Sequence, residues 1–138
     1  MSFENFSNDN TVVTVNLRQL TDWGMAEQPY TDEPIDPKTT VLRAQGGNAI
    51  RLDRKNPGRR VNVYLNPGSA DSAYMQGLYE SNANITLSFT QIGTLETAIG
   101  TEGAIVNDGA RGRAGTTSLT DDQFTMEFNS WTGMRGGA

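Results

Sequence analysis

Apolar and polar residues alternate over much of this chain, and the alternation predicts strands. Residues 11–20 place Val13, Val15 and Leu17 between Thr14, Asn16 and Arg18, the period of a half-buried strand. In residues 59–66 Val61, Val63 and Leu65 share one face, and Arg60, Asn62 and Tyr64 share the other. Residues 84–91 set Ile85, Leu87 and Phe89 against Thr86, Ser88 and Thr90. Residues 123–131 set Phe124, Met126 and Phe128 against Thr125, Glu127 and Asn129. Further strands are predicted at 39–44, 48–54 and 95–107, the last interrupted by Gly100 and Gly103. Gly46-Gly47, Asn56-Pro57-Gly58 and Asn66-Pro67-Gly68 mark turns, with proline presetting φ and glycine accepting a positive one.

The period becomes helical once, at 70–81. Ser69 is placed to cap that helix, and Asp71 complements the positive end of its dipole. Ala70, Ala73, Tyr74, Gly77 and Leu78 predict one narrow buried stripe, widened by Met75 and Tyr79, and Asn82 suits a left-handed stop. Residues 21–38 hold Pro29, Pro34 and Pro37 among five acids and Trp23, a density that excludes a long helix or a central strand. They read as a long acidic loop, of a length uncommon unless it has a task. Residues 108–117 form a Gly-, Arg- and Ala-rich connection. The expectation is one domain over 1–138, with an N-terminal arm at 1–10 and a C-terminal tail at 132–138. Its class is mainly β: a small antiparallel sandwich or barrel-forming sheet with one α-helix, whose edges need cover.

Composition narrows the chemistry. The 138 residues are 36% hydrophobic with a mean hydropathy of −0.52, a lean core of the kind that partners complete. No stretch nears the ~20 apolar residues that span a bilayer, and residues 1–10 lack the basic start and apolar run of a secretory signal. With neither Cys nor His, disulfides, thiolate metal sites, histidine bases and histidine-based nucleophile relays are all excluded. Gly46-Gly47-Asn48 and residues 108–112 lack the Gly-Lys-Ser/Thr of a phosphate loop. Asp32-Glu33, Asp36 and Asp121-Asp122 lack calcium-loop spacing and read as solvated or capping carboxylates. Trp23 and Trp131 read as core or interface. No catalytic, cofactor or metal site is expected, and the chain is read as a non-enzyme.

Charge is segregated. Residues 1–40 carry seven acids against two bases, 41–66 six bases against one acid, and 67–138 eight acids against three bases. A basic centre between acidic flanks suits complementary contact between copies, and it equally suits pairing within one copy. The candidates for contact between subunits are Asp22, Trp23, Glu27, Asp32, Glu33 and Asp36 on one side. On the other are Arg51, Arg54, Lys55, Arg59 and Arg60. That basic run lacks the aromatic interleaving of a nucleic-acid surface, and the chain as a whole is acidic.

The run from Gly58 to Tyr79, a basic alternating strand entering a Ser-started helix with Met, Leu and Tyr near its end, resembles the tail tube proteins of contractile-tailed bacteriophages. Residues 47–53 resemble that family's short strand and charged turn, and Phe124-Thr125-Met126-Glu127-Phe128 its closing strand; the likeness covers about 44–131. The long loop at 21–38 departs from the shorter members. The resemblance implies hexameric rings whose sheets join into one β-barrel and stack head to tail. It further implies a tail sheath, baseplate tube-initiating proteins and a tape measure protein as partners, with DNA passing through, in a virion tail assembled in the host cytoplasm. Thr86, Ser88, Thr90, Thr125, Glu127 and Asn129 are the candidate lumen lining, because their strand faces are polar and free of bases, and bound phosphates would slow DNA. The alternatives are a tailocin or type VI secretion tube, and a monomeric β-sandwich binding module.

Overall fold

A computed structural model of the chain describes residues 11–92, 94–114 and 118–135. In chain order the elements are β1 (Thr11–Val15), β2 (Arg18–Leu20), β3 (Tyr30–Pro34), β4 (Thr39–Arg43), β5 (Ala49–Asp53) and β6 (Arg59–Leu65). The helix α1 (Ala70–Glu80) is followed by β7 (Ile85–Gln91), β8 (Glu96–Asn107), β9 (Arg113–Ala114), β10 (Ser118–Leu119) and β11 (Asp122–Met134). Seven strands form one antiparallel sheet in the order β2-β1-β7-β8-β11-β6-β3. This is the mainly β, one-helix, barrel-forming class expected from the alternation, with the sheet curled into a half-barrel.

Alternation places the core. Val61, Val63 and Leu65 of β6, Ile85, Leu87 and Phe89 of β7, and Phe124, Met126 and Phe128 of β11 are all buried. Their polar neighbours face out. Gly100 and Gly103 do not break β8. A Cβ at Gly100 would lie 2.7 Å from the Trp131 ring, and one at Gly103 would lie 2.3 Å from the Phe128 ring. The glycines are seats for aromatic rings. The curl is visible in the stacking of Tyr30 on Phe89, centroids 4.8 Å apart, although three strands separate β3 from β7.

Several local expectations are corrected. Residues 21–38 hold the edge strand β3, paired with β6 from Tyr30↔Val63 to Pro34↔Arg59; proline is tolerated there because it ends an edge strand. β11 continues to Met134, so the tail predicted from 132 begins as strand, while the arm at 1–10 lies outside the described residues. Leu17 sits in the β1–β2 turn and is 99% exposed, since the alternation runs out at Val15.

The helix obeys its caps but not its predicted stripe. Ser69 accepts from Ser72 N, and Asn82 at φ 54 ends it, with Ala83 N donating to Leu78 O at 3.1 Å. Its buried residues are Asp71, Ser72 and Met75, whereas Ala70, Ala73 and Gly77 are exposed and Tyr74 and Leu78 half-buried. Two polar residues displace the apolar stripe because each is satisfied. The Ser72 hydroxyl donates to Asp122. The Asp71 carboxylate accepts from Arg18 Nε at 2.9 Å, Thr21 N at 2.7 Å and Asp22 N at 2.9 Å.

Those bonds hold the chain where it leaves β2 and crosses to the far side of the sheet. There Gly24 N donates to Tyr64 O at 2.9 Å, Asn66 N donates to Asp22 O at 2.8 Å, and Trp23 bridges Leu65. Burial pushes the Asp71 pKa up, but the N–H groups of Asp22 and Thr21 and the Arg18 guanidinium outweigh it and hold the carboxyl below its ordinary value. A depressed folded pKa means stabilisation that is complete above the unfolded value near ~3.9 and lost as pH falls through the folded one. Asp71→Ala should cost about 3 kcal/mol at pH 7. In thermal melts from pH 7 to pH 2, the gap between wild type and variant should narrow at the acid end; a constant gap would remove the carboxylate from this role.

Candidate assembly surface

The strands β4 and β5 pair only with each other. They form a hairpin tied to the body at its base, where Arg54 N donates to Lys38 O at 2.7 Å and Asp36 N to Pro57 O at 3.1 Å. At the tip Gly47 has φ 89 and its N–H reaches Ala44 O. The register Leu42↔Ile50 and Thr40↔Leu52 puts Leu42, Ile50 and Leu52 on one face. They are 49%, 58% and 51% exposed, and Val41 on the opposite face is 58% exposed. Arg51 on that second face holds Asp53 at 2.8 Å, and with Thr39 it lowers the Asp53 pKa. Among the described residues no further strand pairs with this hairpin; a two-stranded hairpin is marginal in water by itself, and an exposed apolar face of this kind marks a contact surface. Strand signals at 39–44 and 48–54 were legible in the sequence. The missing cover was not, although Val41 and Leu42, adjacent and therefore on opposite faces, hint at it.

The segregated charges meet largely within one chain. Pairing of β3 with β6 places Asp32, Glu33 and Pro34 opposite Val61, Arg60 and Arg59. Arg59 binds Asp32 through Nε at 3.0 Å and through a second guanidinium nitrogen, and it lies 5.7 Å over the Trp131 ring. Arg60 lies between Glu33 at 3.7 Å and Glu127 at 3.1 Å, and Arg54 is 3.8 Å from Asp36. Among the described residues Asp22, Glu27 and Lys55 make no ion pair. Trp23 is half-buried against the core.

Thr86, Ser88, Thr90, Thr125, Glu127 and Asn129 all point away from the core, on the face opposite the buried residues of β7 and β11. The structure therefore gathers them on one side of one sheet, with β8 between the two groups. That side is less uniform than expected. Glu127↔Arg60 pairing brings a base onto it, and β8 adds the exposed Ile99 and Val106. The face is held by side-chain bonds, Thr125 Oγ1 to Asn62 Oδ1 at 2.7 Å and Asn129 Nδ2 to Glu102 Oε2 at 2.9 Å.

Asp121, read from sequence as a turn residue, accepts from Met25 N at 3.0 Å and Ala26 N at 2.8 Å. Gly24 makes that approach possible, since a Cβ there would lie 2.3 Å from the Asp121 carboxyl carbon. A cleft of about 200 Å³ lies among Asp32, Arg59, Phe89, Glu96 and Trp131. Beside it the Tyr30 hydroxyl is buried, and burial, with Asp32 adding, raises its pKa. Among the described residues no group of three or more His, Cys, Asp or Glu is arranged to hold a metal ion.

No protein-family model and no curated protein matches the sequence. Solved structures do match the fold. A chain of the PVC sheath/tube terminator, from an extracellular contractile injection system in its extended state, superposes with a TM-score of 0.57 at 14% identity, covering 94% of this chain and 96% of that one. A chain of the tube-terminating cap of the anti-feeding prophage gives 0.56 at 16% identity, over 99% and 95%. A chain of the PVC sheath–tube complex in its extended state gives 0.55 at 15% identity, over 91% and 88%. The fold is shared with structural parts of contractile injection systems.

Proposed function

We propose that this chain is a ring-forming structural subunit of a contractile tail or injection tube, acting through assembly and not through catalysis. The observation that carries the reading is the hairpin of β4 and β5, whose apolar face is about half exposed and pairs with no further strand among the described residues. Six copies would close into a ring and stack head to tail, with the half-barrels joined so that the sheet edges disappear. A tail sheath, baseplate tube-initiating proteins and a tape measure protein are the partners this role brings. DNA would be the cargo in a virion tail assembled in the host cytoplasm, and another cargo would pass in a tailocin-like device. The polar face at Thr86, Ser88, Thr90, Thr125, Glu127 and Asn129 would line the bore, and the Arg60–Glu127 pair keeps its one base neutralised. Charge steering between copies falls to residues outside the tightest internal pairs, with Lys55 and Arg54 meeting Asp22 and Glu27 of a neighbour. The likeness to tube-terminating chains favours a second reading, a terminator that forms one ring and does not stack.

Two experiments test this. Leu42→Ser, Ile50→Ser and Leu52→Ser together should leave the melting curve of the lone subunit within about 0.5 kcal/mol of wild type, because these side chains are half-exposed surface. The same variant should raise the concentration needed for ring formation roughly 100-fold or more, since burying three such side chains contributes about 3 kcal/mol or more. Rings seen by negative-stain microscopy at the wild-type threshold would separate the hairpin from assembly. For the bore, Ser88→Cys in assembled tubes should react slowly with a thiol reagent too bulky to enter and quickly with a small one. Fast reaction with both would put that face outside.

A further inference from the structure

Two exposed leucines hold left-handed backbone, a conformation that costs a branched side chain stability. Leu17 has φ 74 and Leu95 has φ 61. Leu17 occupies the second position of the two-residue β1–β2 turn, after Asn16 at φ 48. Both central residues with positive φ make a turn in which Asn-Gly is the favoured pair. Asn16 meets that requirement and Leu17 does not. The turn is nonetheless fastened. The Asn16 side chain donates to Asn84 O at 2.9 Å and accepts from Thr86 N at 2.8 Å, and the Tyr74 hydroxyl donates to Val15 O and Asn16 O at 3.1 and 3.2 Å. The result is an apolar side chain, 99% exposed, displayed on a rigid mount.

Leu95 and Ile92 both belong to the β7–β8 connection, and they are 60% and 57% exposed. The registers place these turns at opposite ends of one ladder. Val15 lies across from Leu87, and Thr11 lies across from Gln91, which pairs with Glu96. From Thr86 to Gln91 the strands separate the turns by roughly 17 Å. One copy therefore presents an apolar tip at each end of the β1-β7-β8 ladder.

We infer that the Leu17 tip of one copy docks against the Ile92/Leu95 tip of a copy in the next ring. This rests on the ring-forming reading and names which surfaces meet between rings. The occupant of each tip is a second copy of the chain, because the two tips match in chemistry and face opposite ways. Such a heterologous contact repeats without closing and yields a stack. The rigid mounting of Leu17 lowers the ordering cost of docking on that side. Strain kept at an exposed leucine is accounted for by the contact it makes there.

The test uses the full chain, with Leu17→Asn as one variant and Ile92→Ser with Leu95→Asn as the other. Asparagine tolerates left-handed backbone, so both variants should melt at or above the wild-type temperature. Sedimentation velocity of wild type should show stacks, and each variant alone single rings, with the stacking threshold raised at least tenfold. Preformed rings of the two variants, mixed in equal amounts, should give two-ring particles and nothing longer, since one intact interface remains in each mixed pair. Variants that stack at the wild-type threshold overturn the inference and leave the ring reading intact. Wild-type rings that never stack also overturn it, and favour a terminator. Wild type that stays monomeric at every concentration overturns the ring reading itself.

Discussion

The buried Asp71 carboxylate is the constraint on which the subunit's shape depends. It joins three elements that are distant in sequence: the first turn of the helix, the Arg18 side chain of β2, and the backbone at Thr21 and Asp22. Leaving those two part-buried N–H groups unpaired would cost up to about 1–3 kcal/mol each. Satisfying them lets the chain cross from one edge of the sheet to the other and bond to Tyr64 and Asn66. The pairing of β3 with β6 and the stacking of Tyr30 on Phe89 both follow that crossing in the chain. Among the described residues a sheet curled in this way still ends in two edges, β2 and β3. Joining half-barrels is one physical way to remove them.

Against this fastened body, the β4–β5 hairpin and the Leu17 turn stand out because they are finished locally and leave apolar side chains exposed. The hairpin has its ladder, its turn glycine and a clamped base, yet its leucines and isoleucine bury little. The β1–β2 turn is held by hydrogen bonds at Val15 and Asn16, yet Leu17 touches solvent. A soluble monomer gains nothing from such features. An assembling subunit does, since rigid apolar projections lose little entropy when they dock.

Much of the body was legible because alternation and turn chemistry are local. Val61, Val63 and Leu65, or Ile85, Leu87 and Phe89, reveal their face without reference to any partner strand, and Gly58 and Gly68 adopt the positive φ that their Pro-Gly contexts predict. The rest required tertiary information. The helix face was misread because Asp71 and Ser72 are buried by their hydrogen bonds, which hydrophobic spacing does not register. Strand β3 was hidden by Pro34 at its end and by Pro29 and Pro37 around it, harmless at an edge. The acidic and basic segments looked like surfaces for two copies because only the β3–β6 register shows Arg59 meeting Asp32 and Arg60 meeting Glu33. Exposure of Leu42, Ile50 and Leu52 depends on which elements pack against the hairpin, and no local pattern announces that.

The central claim, that the hairpin is completed by a neighbouring copy, is tested most directly by hydrogen exchange at the backbone amides of β4 and β5. In the dilute subunit a hairpin held by one ladder and no packing should exchange close to the unprotected rate, while the amides of β6, β7 and β11 stay protected. In the assembled fraction the hairpin amides should become protected by about 100-fold or more, reporting burial of its apolar face. Hairpin amides that remain unprotected in assemblies, or that are already protected in the dilute subunit, would contradict the account.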